Sequence, residues 1–335
     1  MADLIIVGAG IAGLSCARAM ADGGRHVLLL ERSSSPGGRC ATKSPGGSFP
    51  PADFGPVFVH GDDSDFLRWI ESFGSDLIPG WPFIVAGSGA PCQPTAFEPA
   101  QRRFALKSGL RSLAEGLARN LNISYGTEVA SFSWESGGFE VVATDGRRFR
   151  ARDLALALAL EQSRALLGAE AAIDAILGSF STLPCLTLIA GYGSGVPTPE
   201  WGLCYPEESR SIILISNEGP KRGLAVERGT LLTIQARPSW SAARLEGDRS
   251  AWTHELLAEA AALLGTWAAS PAALKPHRWR YGRLAPSDHL AKPALFDRPG
   301  STARLGLTGD LFNDGGGIQG AWVAGRELAA RFDRA

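Results

Sequence analysis

The chain has 335 residues, with 33 Lys and Arg against 34 Asp and Glu and with hydrophobic residues at 45%. That length exceeds the roughly 100 to 200 residues of one domain and predicts two domains, each with its own core. The near-zero net charge excludes the basic excess of a nucleic-acid or membrane-surface protein, while 41 glycines stand well above the roughly 7% average with no repeat to absorb them.

The longest apolar runs, residues 4–7 and 154–160, fall far short of the ~20 residues of a membrane helix. The N-terminus lacks a basic segment followed by a long apolar stretch, so no secretory signal is expected and a cytoplasmic protein is. Cys16, Cys40, Cys92, Cys185 and Cys204 are odd in number and scattered, without a CxxC pair or histidines at ligand spacing. Neither disulfides nor a metal site are expected.

In chain order, residues 3–7 read as a β-strand, Gly8, Gly10 and Gly13 as a tight turn, and Leu14, Ala17 and Met20 as the apolar stripe of a helix. A second strand at 26–30 ends on Glu31. The glycines do different things. Gly8 makes the turn, Gly10 lets the amides of Ile11 and Ala12 approach a pyrophosphate, and Gly13 lets helix and strand pack closely. Glu31 would accept from the adenosine ribose and repel a 2′-phosphate, which leaves FAD or NAD rather than NADP. Arg32, then Gly37, Gly38, Arg39 and Thr42, form a second glycine turn with a cation, which favours FAD. Near the other end, a strand at 304–308 runs into Gly309 and Asp310, then Gly315, Gly316 and Gly317, then a helix whose Ile318, Ala321, Trp322, Gly325, Leu328, Ala329 and Phe332 share one face. Asp310 is expected near the ribityl and pyrophosphate groups, and the helix start at Gly317, Ile318 and Gln319 near the flavin pyrimidine oxygen.

These pieces resemble the flavin amine oxidase superfamily and, within it, the short bacterial renalase-like proteins. The resemblance runs nearly end to end through VGAGIAGLSCARAM, ERSSSPGGRCAT, Asp53-Phe-Gly55, KSGLRSLAEGLARNL, TEVASFSW, ALALEQSRALL, PSWSAARLEGDR, PHRWRY and TGDLFNDGGGIQGAWVAG. It implies an α/β fold: a Rossmann-like FAD-binding domain of the glutathione-reductase and p-hydroxybenzoate-hydroxylase type, plus a mixed α+β substrate domain on an antiparallel sheet. It implies an adenine contact for the Val129 backbone and a flavin contact for Pro56 and Val57. In such relatives Gln and Tyr stand at that last segment. The chain also departs at Gly219-Pro-Lys-Arg-Gly223, where relatives carry Lys-Pro-Gly-Arg, and at Ala159-Leu-Glu-Gln162.

A single dinucleotide fingerprint to which the C-terminal motif must return predicts a discontinuous FAD domain of residues 1–75, 104–160 and 285–335, with 76–103 and 161–284 as substrate domain. A helix carrying Leu110, Leu113 and Leu117 is expected, then a β-meander through Phe132, Trp134, Phe139 and Val141 with a hairpin at Asp145 and Gly146. Arg147, Arg148, Arg150 and Arg152, flanked by Asp145 and Asp153, read as a solvated strand edge rather than a phosphate patch. Further strands are expected at 183–189, 211–215 and 231–235, and a helix at 253–264.

The expected chemistry is hydride transfer from a small substrate to non-covalent FAD, with reoxidation by O2 to H2O2. No Ser/His/Asp or Cys/His nucleophile set emerges from the spacing. Trp279 and Tyr281, two apart on a predicted strand, are the chosen substrate-facing residues, with His277 on the same face as a polar handle and Arg278 and Arg280 pointing away. The renalase resemblance implies dihydronicotinamide isomers as substrates. The wider superfamily implies amines instead, and an FAD-binding protein acting through a partner without turnover is a third alternative. A monomer is favoured, with no nucleic-acid or membrane partner.

Overall fold

The structure is a computed structural model that describes residues 1–88, 95–135, 137–168, 176–178, 180–285, 288–297 and 300–334. The chain divides into two compact units, Met1–Gly38, Leu113–Thr182 and Ser287–Ala335 in the first and Arg39–Ser112 and Leu183–Pro286 in the second. These bounds differ from the expected ones at residues 39–75 and 104–112, which lie in the second unit, and at residues 161–182, which lie in the first. The reason is strand pairing and ion pairing: Val59–Gly61 pairs antiparallel with Arg102–Leu106, and Asp53 bonds to Lys221 and Arg222.

The first unit is built on parallel pairing. Ala2–Val7 lies between Val27–Leu30 on one side and Arg148–Leu156 on the other, and Arg304–Leu307 joins the far side of Arg148–Leu156, all four running the same way. Leu4, Ile5 and Ile6 are consecutive and fully buried, as a parallel strand covered on both faces requires. Ile123–Ser124 extends the sheet beside Val27–Leu30. The expected meander is present as Val129–Glu135, Gly138–Ala143 and Arg148–Leu156, antiparallel throughout. Its hairpin turns at Gly146 (φ +87°), with the Asp145 carboxylate accepting from the Arg147 amide at 3.0 Å. The arginine run is paired with acids rather than gathered as a phosphate patch, Arg148 and Arg150 with Glu140, Arg147 with Asp145 and Arg152 with Asp153, but its strand lies inside the sheet, not at the expected edge.

Two helices start from the glycine motifs, Ile11–Asp22 and Gly317–Asp333. They pack in direct backbone contact, because a Cβ on Gly325 would sit 2.2 Å from the Ala12 carbonyl oxygen. The Ser15 hydroxyl locks the pair by donating to the Trp322 carbonyl at 2.7 Å.

The second unit holds a six-stranded sheet in the order Ala273–Leu284, Thr182–Tyr192, Thr230–Ala236, Ile212–Asn217, Leu203–Tyr205 and Val85–Gly87. The three expected strands are all present, each longer than its periodicity indicated. Thr182–Tyr192, Thr230–Ala236, Ile212–Asn217 and Leu203–Tyr205 pair antiparallel, while the edge strand Val85–Gly87 pairs parallel to its neighbour. Helix Arg249–Leu264 begins four residues before expectation because Asp248 caps it, its carboxylate accepting from the Ala251 amide at 2.8 Å. Its Trp252, Leu256, Leu257 and Ala260 cover Leu186, Leu188, Ala190, Leu232 and Ile234 of the sheet.

Among the described residues no helix is long and apolar enough to cross a membrane. Cys16, Cys185 and Cys204 are free thiols, whereas Cys92 lies outside the described residues.

Candidate functional site

The first unit gathers its motifs along the carboxyl ends of parallel strands, the edge at which open α/β sheets bind ligands. Val7, Leu30, Leu156 and Leu307 end adjacent strands, so Gly8, Glu31, Ala157 and Thr308 follow side by side. Gly8 holds φ +106° and donates its N–H to the Leu30 carbonyl at 2.9 Å. A Cβ there would lie 2.6 Å from the Ala157 carbonyl oxygen, and one on Gly13 only 2.1 Å from that of Gly8. The glycines at positions 8 and 13 are therefore demanded by the protein's own packing.

Gly10 differs. It is the N-cap of helix Ile11–Asp22, with φ −77° and no side-chain cap, and a Cβ on it would meet nothing within 4 Å. The chain leaves space beside the first helical amides, those of Ile11 and Ala12, where an anion is favoured. The Glu31 carboxylate accepts from the Ala9 amide with one oxygen and from the Ser33 amide with the other, both at 2.8 Å. Its position is thus fixed while lone pairs remain for further donors. The second glycine turn closes on the first, with the Gly37 amide donating to the Ala9 carbonyl at 2.9 Å and a Gly38 Cβ position 3.5 Å from Gly10 Cα. Arg32 is exposed, 3.9 Å from Glu128, and Val129 opens its strand opposite Ala143.

The C-terminal motif lies on the same edge. Asp310 begins a short 3-10 turn after Gly309. Helix Gly317–Asp333 begins without a side-chain cap and without an acid in its first turn, with Ile318 and Gln319 half-buried there. Among the described residues, the buried Thr308 hydroxyl has no hydrogen-bond partner. Two uncapped helix starts, open space at Gly10, a fixed carboxylate and an orphaned hydroxyl fit an extended dinucleotide carrying a pyrophosphate. Gly8, Gly10, Ile11, Ala12, Gly13, Glu31, Gly38, Gly309, Asp310, Gly317, Ile318 and Gln319 could hold it.

In the second unit the focus is Asp53, Phe54 and Gly55. A Cβ on Gly55 would lie 2.0 Å from the Arg39 carbonyl oxygen. Three consecutive carbonyls are each held by a side chain: that of Asp53 by the Thr233 hydroxyl at 2.7 Å, that of Phe54 by the Trp279 indole N–H at 2.9 Å, and that of Gly55 by the Gln235 amide at 2.5 Å. Trp279 also stacks on Phe54 at 5.1 Å and 25°, and His277 meets Phe54 edge-on at 4.9 Å. The expected substrate face is therefore part of a packed group. Trp279 is half-buried with its N–H engaged, and Tyr281 is half-buried farther along the same strand. Burial, with Lys43, Arg249 and Lys275 adding repulsion, pushes the His277 imidazole down to about 4, so the ring is neutral at pH 7. Arg278 and Arg280 point away as expected, the first to the Gly247 carbonyl and the second to Glu246. Pro56 is half-buried. The Val57 side chain is packed with Phe58, Trp81 and Tyr205.

The spacing of residues did not disclose what lies beneath this segment. Asp53, Glu218, Lys221 and Arg222 form a buried group of two acids and two bases. Lys221 Nζ lies 2.6 Å from Glu218 and 3.2 Å from Asp53, and donates to the Val57 carbonyl at 2.6 Å. Arg222 lies 2.6 Å from Asp53 and 3.2 Å from Glu218. Burial alone would raise the Asp53 carboxyl, but Lys221, Arg222 and donors from Thr42 and Leu110 outweigh it and hold it below the ordinary carboxylate range. The one visible trace in the sequence is the Gly219-Pro-Lys-Arg-Gly223 turn, which carries Lys and Arg with no nearby reason for them. Among the described residues no group of three or more His, Cys, Asp or Glu could hold a metal ion.

Comparison with known proteins agrees with this geometry. Residues 6–73 match the profile of the NAD(P)-binding Rossmann-like domain, and residues 86–332 that of the flavin containing amine oxidoreductase family. Putrescine oxidase of Kocuria rosea is 35% identical over 72 residues, which is 22% of this chain and only 15% of that protein. Cyclohexylamine oxidase from Brevibacterium oxydans IH-35A superposes with a TM-score of 0.73 at 15% identity, covering 99% of both chains. Wild-type putrescine oxidase bound to putrescine gives 0.73 at 13% identity, covering 100% of this chain and 99% of that one. At such identities the likeness is one of fold. With the family profile spanning most of the chain, the protein belongs to the flavin containing amine oxidoreductase family, an FAD-dependent oxidoreductase by class with FAD as its cofactor.

Proposed function

We propose that the chain is an oxidase that acts on an amine and passes the electrons to dioxygen. The family profile over residues 86–332 supports the amine. The observation that carries the oxidase reading is the assembly of Gly8, Gly10, Glu31, Gly309 and the start of helix Gly317–Asp333 on one sheet edge. When bound, FAD would take a hydride from a substrate carbon and yield hydrogen peroxide with dioxygen.

The chain's own residues supply position and charge. The open amides at Ile11 and Ala12 favour the pyrophosphate, Glu31 accepts from ribose hydroxyls, and the positive end of helix Gly317–Asp333 favours negative charge placed before it. The Val129 backbone would reach the adenine. No Cys or His lies in the Gly309 and Asp310 segment, so the FAD is held without a covalent bond. Acid denaturation should leave a yellow supernatant over a colourless pellet, and the reverse would contradict this.

A second reading, oxidation of a dihydronicotinamide isomer as in renalase-like proteins, draws support from the wall formed by Phe54, His277 and Trp279. It is aromatic and uncharged at neutral pH, which suits a planar neutral ring. Anaerobic stopped-flow mixing of the FAD-loaded protein with primary amines and with dihydronicotinamide isomers decides between the two. Bleaching by amines alone sustains the first reading and bleaching by the isomers alone the second. If neither bleaches the flavin, the oxidase readings fall together in favour of a binding protein without turnover.

A further inference from the structure

The same aromatic group in the second unit is bordered by cations that, among the described residues, have no acid. Strand Thr42–Lys43 pairs with Ala52–Asp53, and this brings Lys43 Nζ to 5.6 Å from the centre of the Phe54 ring. The next cation is Arg111, whose main-chain amide donates to Thr42 Oγ1 at 3.2 Å. Its Nε is buried and, among the described residues, has no hydrogen-bond partner. Lys275 precedes His277 by two residues in Ala273–Leu284 and so shares its side of the strand. Arg249 opens helix Arg249–Leu264.

Arg68, Arg102, Arg147, Arg148 and Arg280 each have an acid within ion-pair distance. Among the described residues, the side chains of Lys43, Arg111, Arg249 and Lys275 have none. Asp248, next to Arg249, is occupied as the cap of the helix. The cations are close enough to act on one another. Lys43 holds its proton less firmly than a free lysine, through burial first and then through Lys275 and Arg111, and Lys43, Arg249 and Lys275 all bear on His277. Like charges gathered without a counter-charge oppose one another, and an anion placed among them turns each repulsion into an attraction. A buried guanidinium N–H without an acceptor adds an unmet hydrogen bond of the kind that a phosphate or carboxylate oxygen satisfies.

We propose that Lys43, Arg111, Arg249 and Lys275 form an anion-binding site, which takes the phosphate or carboxylate of a substrate whose planar part lies against Phe54, His277 and Trp279. That the ligand is a substrate rests on the reading of that strand as substrate-facing; the binding of an anion stands on the cluster itself. The site disfavours a simple diamine or alkylamine, which is cationic at pH 7, and favours a molecule that carries an acid group beside the bond to be oxidised.

The test is calorimetric titration of the FAD-saturated protein with inorganic pyrophosphate and, separately, with malonate. The comparison uses Lys43→Gln/Lys275→Gln, Arg111→Gln, and Arg68→Gln as a control cation outside the cluster. Lys43 and Lys275 are exposed, so their double variant keeps the fold, which circular dichroism checks. The expected result is binding of at least one probe, weakened about tenfold or more in the double variant and in Arg111→Gln, and unchanged in the control. Tighter pyrophosphate identifies a phosphate-bearing ligand and tighter malonate a carboxylate-bearing one. Failure of both probes to bind, or equal binding by the double variant and wild type, overturns the proposal. Because binding is read without turnover, a protein that binds the probe but oxidises nothing contradicts the oxidase reading alone.

Discussion

In the first unit the loop after Ala2–Val7 is fixed by backbone meeting backbone, Gly13 against Gly8 and Gly8 against Ala157. In the second, Asp53, Phe54 and Gly55 are fixed by side chains that arrive from 165 to 225 residues away in the chain. The first arrangement leaves amides uncapped and so leaves something for a ligand to complete. The second satisfies its own charges and carbonyls internally, and what it presents is the aromatic group above and the unpaired cations beside it. One unit is a receptacle made by removing side chains, the other a rigid floor made by adding them.

The comparison breaks most sharply at the buried charges. Lys221→Met leaves Asp53 and Glu218 with Arg222 but without their second cation and should destabilise the chain by about 3 to 5 kcal/mol, read as a lower urea midpoint; an unchanged midpoint would show that the group is not a clamp. Below the ordinary carboxylate range the stabilisation should fade, because the folded-state carboxyl of Asp53 is held down and its contribution is lost as pH falls through that lowered value.

Next in size is Glu31→Gln. The carboxylate accepts two amide bonds, and loss of the charge should cost about 1.5 to 3 kcal/mol of combined loop order and FAD affinity. FAD titration with tryptophan fluorescence measures it.

His277→Phe sharpens the picture of the aromatic wall. The imidazole titrates near 4 when folded, against an ordinary 6.5, so the unfolded chain binds the extra proton first. Stability of the wild type should fall as pH drops from about 6.5 toward about 4, and the variant should lose that slope. Equal slopes would place His277 in a wetter setting than the fold gives it.

The smallest effect belongs to the arginine run. Arg148→Gln and Arg150→Gln remove exposed ends of pairs with Glu140 and should leave the unfolding midpoint unchanged.

How much of the molecule is legible in its sequence follows from range. The strand, turn and helix around Gly8, Gly10 and Gly13, and the start of helix Gly317–Asp333, are legible because each is contiguous in sequence. The hairpin at Gly146 and the solvated reading of Arg147 to Arg152 were legible for the same reason. Lys221 and Arg222 were visible only as an oddity, since their partner Asp53 is separated from them by 168 and 169 residues. Lys43, Arg111, Arg249 and Lys275 each look like ordinary surface charge until the sheet brings them together. The unit bounds differ from expectation for a related reason: residues 39–75 follow a dinucleotide motif in sequence, yet their strands and charges pair within the second unit.

Gly10 separates the requirements of fold from those of ligand, since its φ of −77° suits any residue and its missing Cβ faces nothing within 4 Å. Gly10→Val should leave the unfolding free energy of the FAD-free protein within the roughly ±0.5 kcal/mol typical of a surface change while weakening FAD binding about tenfold or more, read by flavin absorbance on titration. Unaltered FAD affinity in that variant would contradict the central claim that the space beside Gly10 is where the cofactor's pyrophosphate lies.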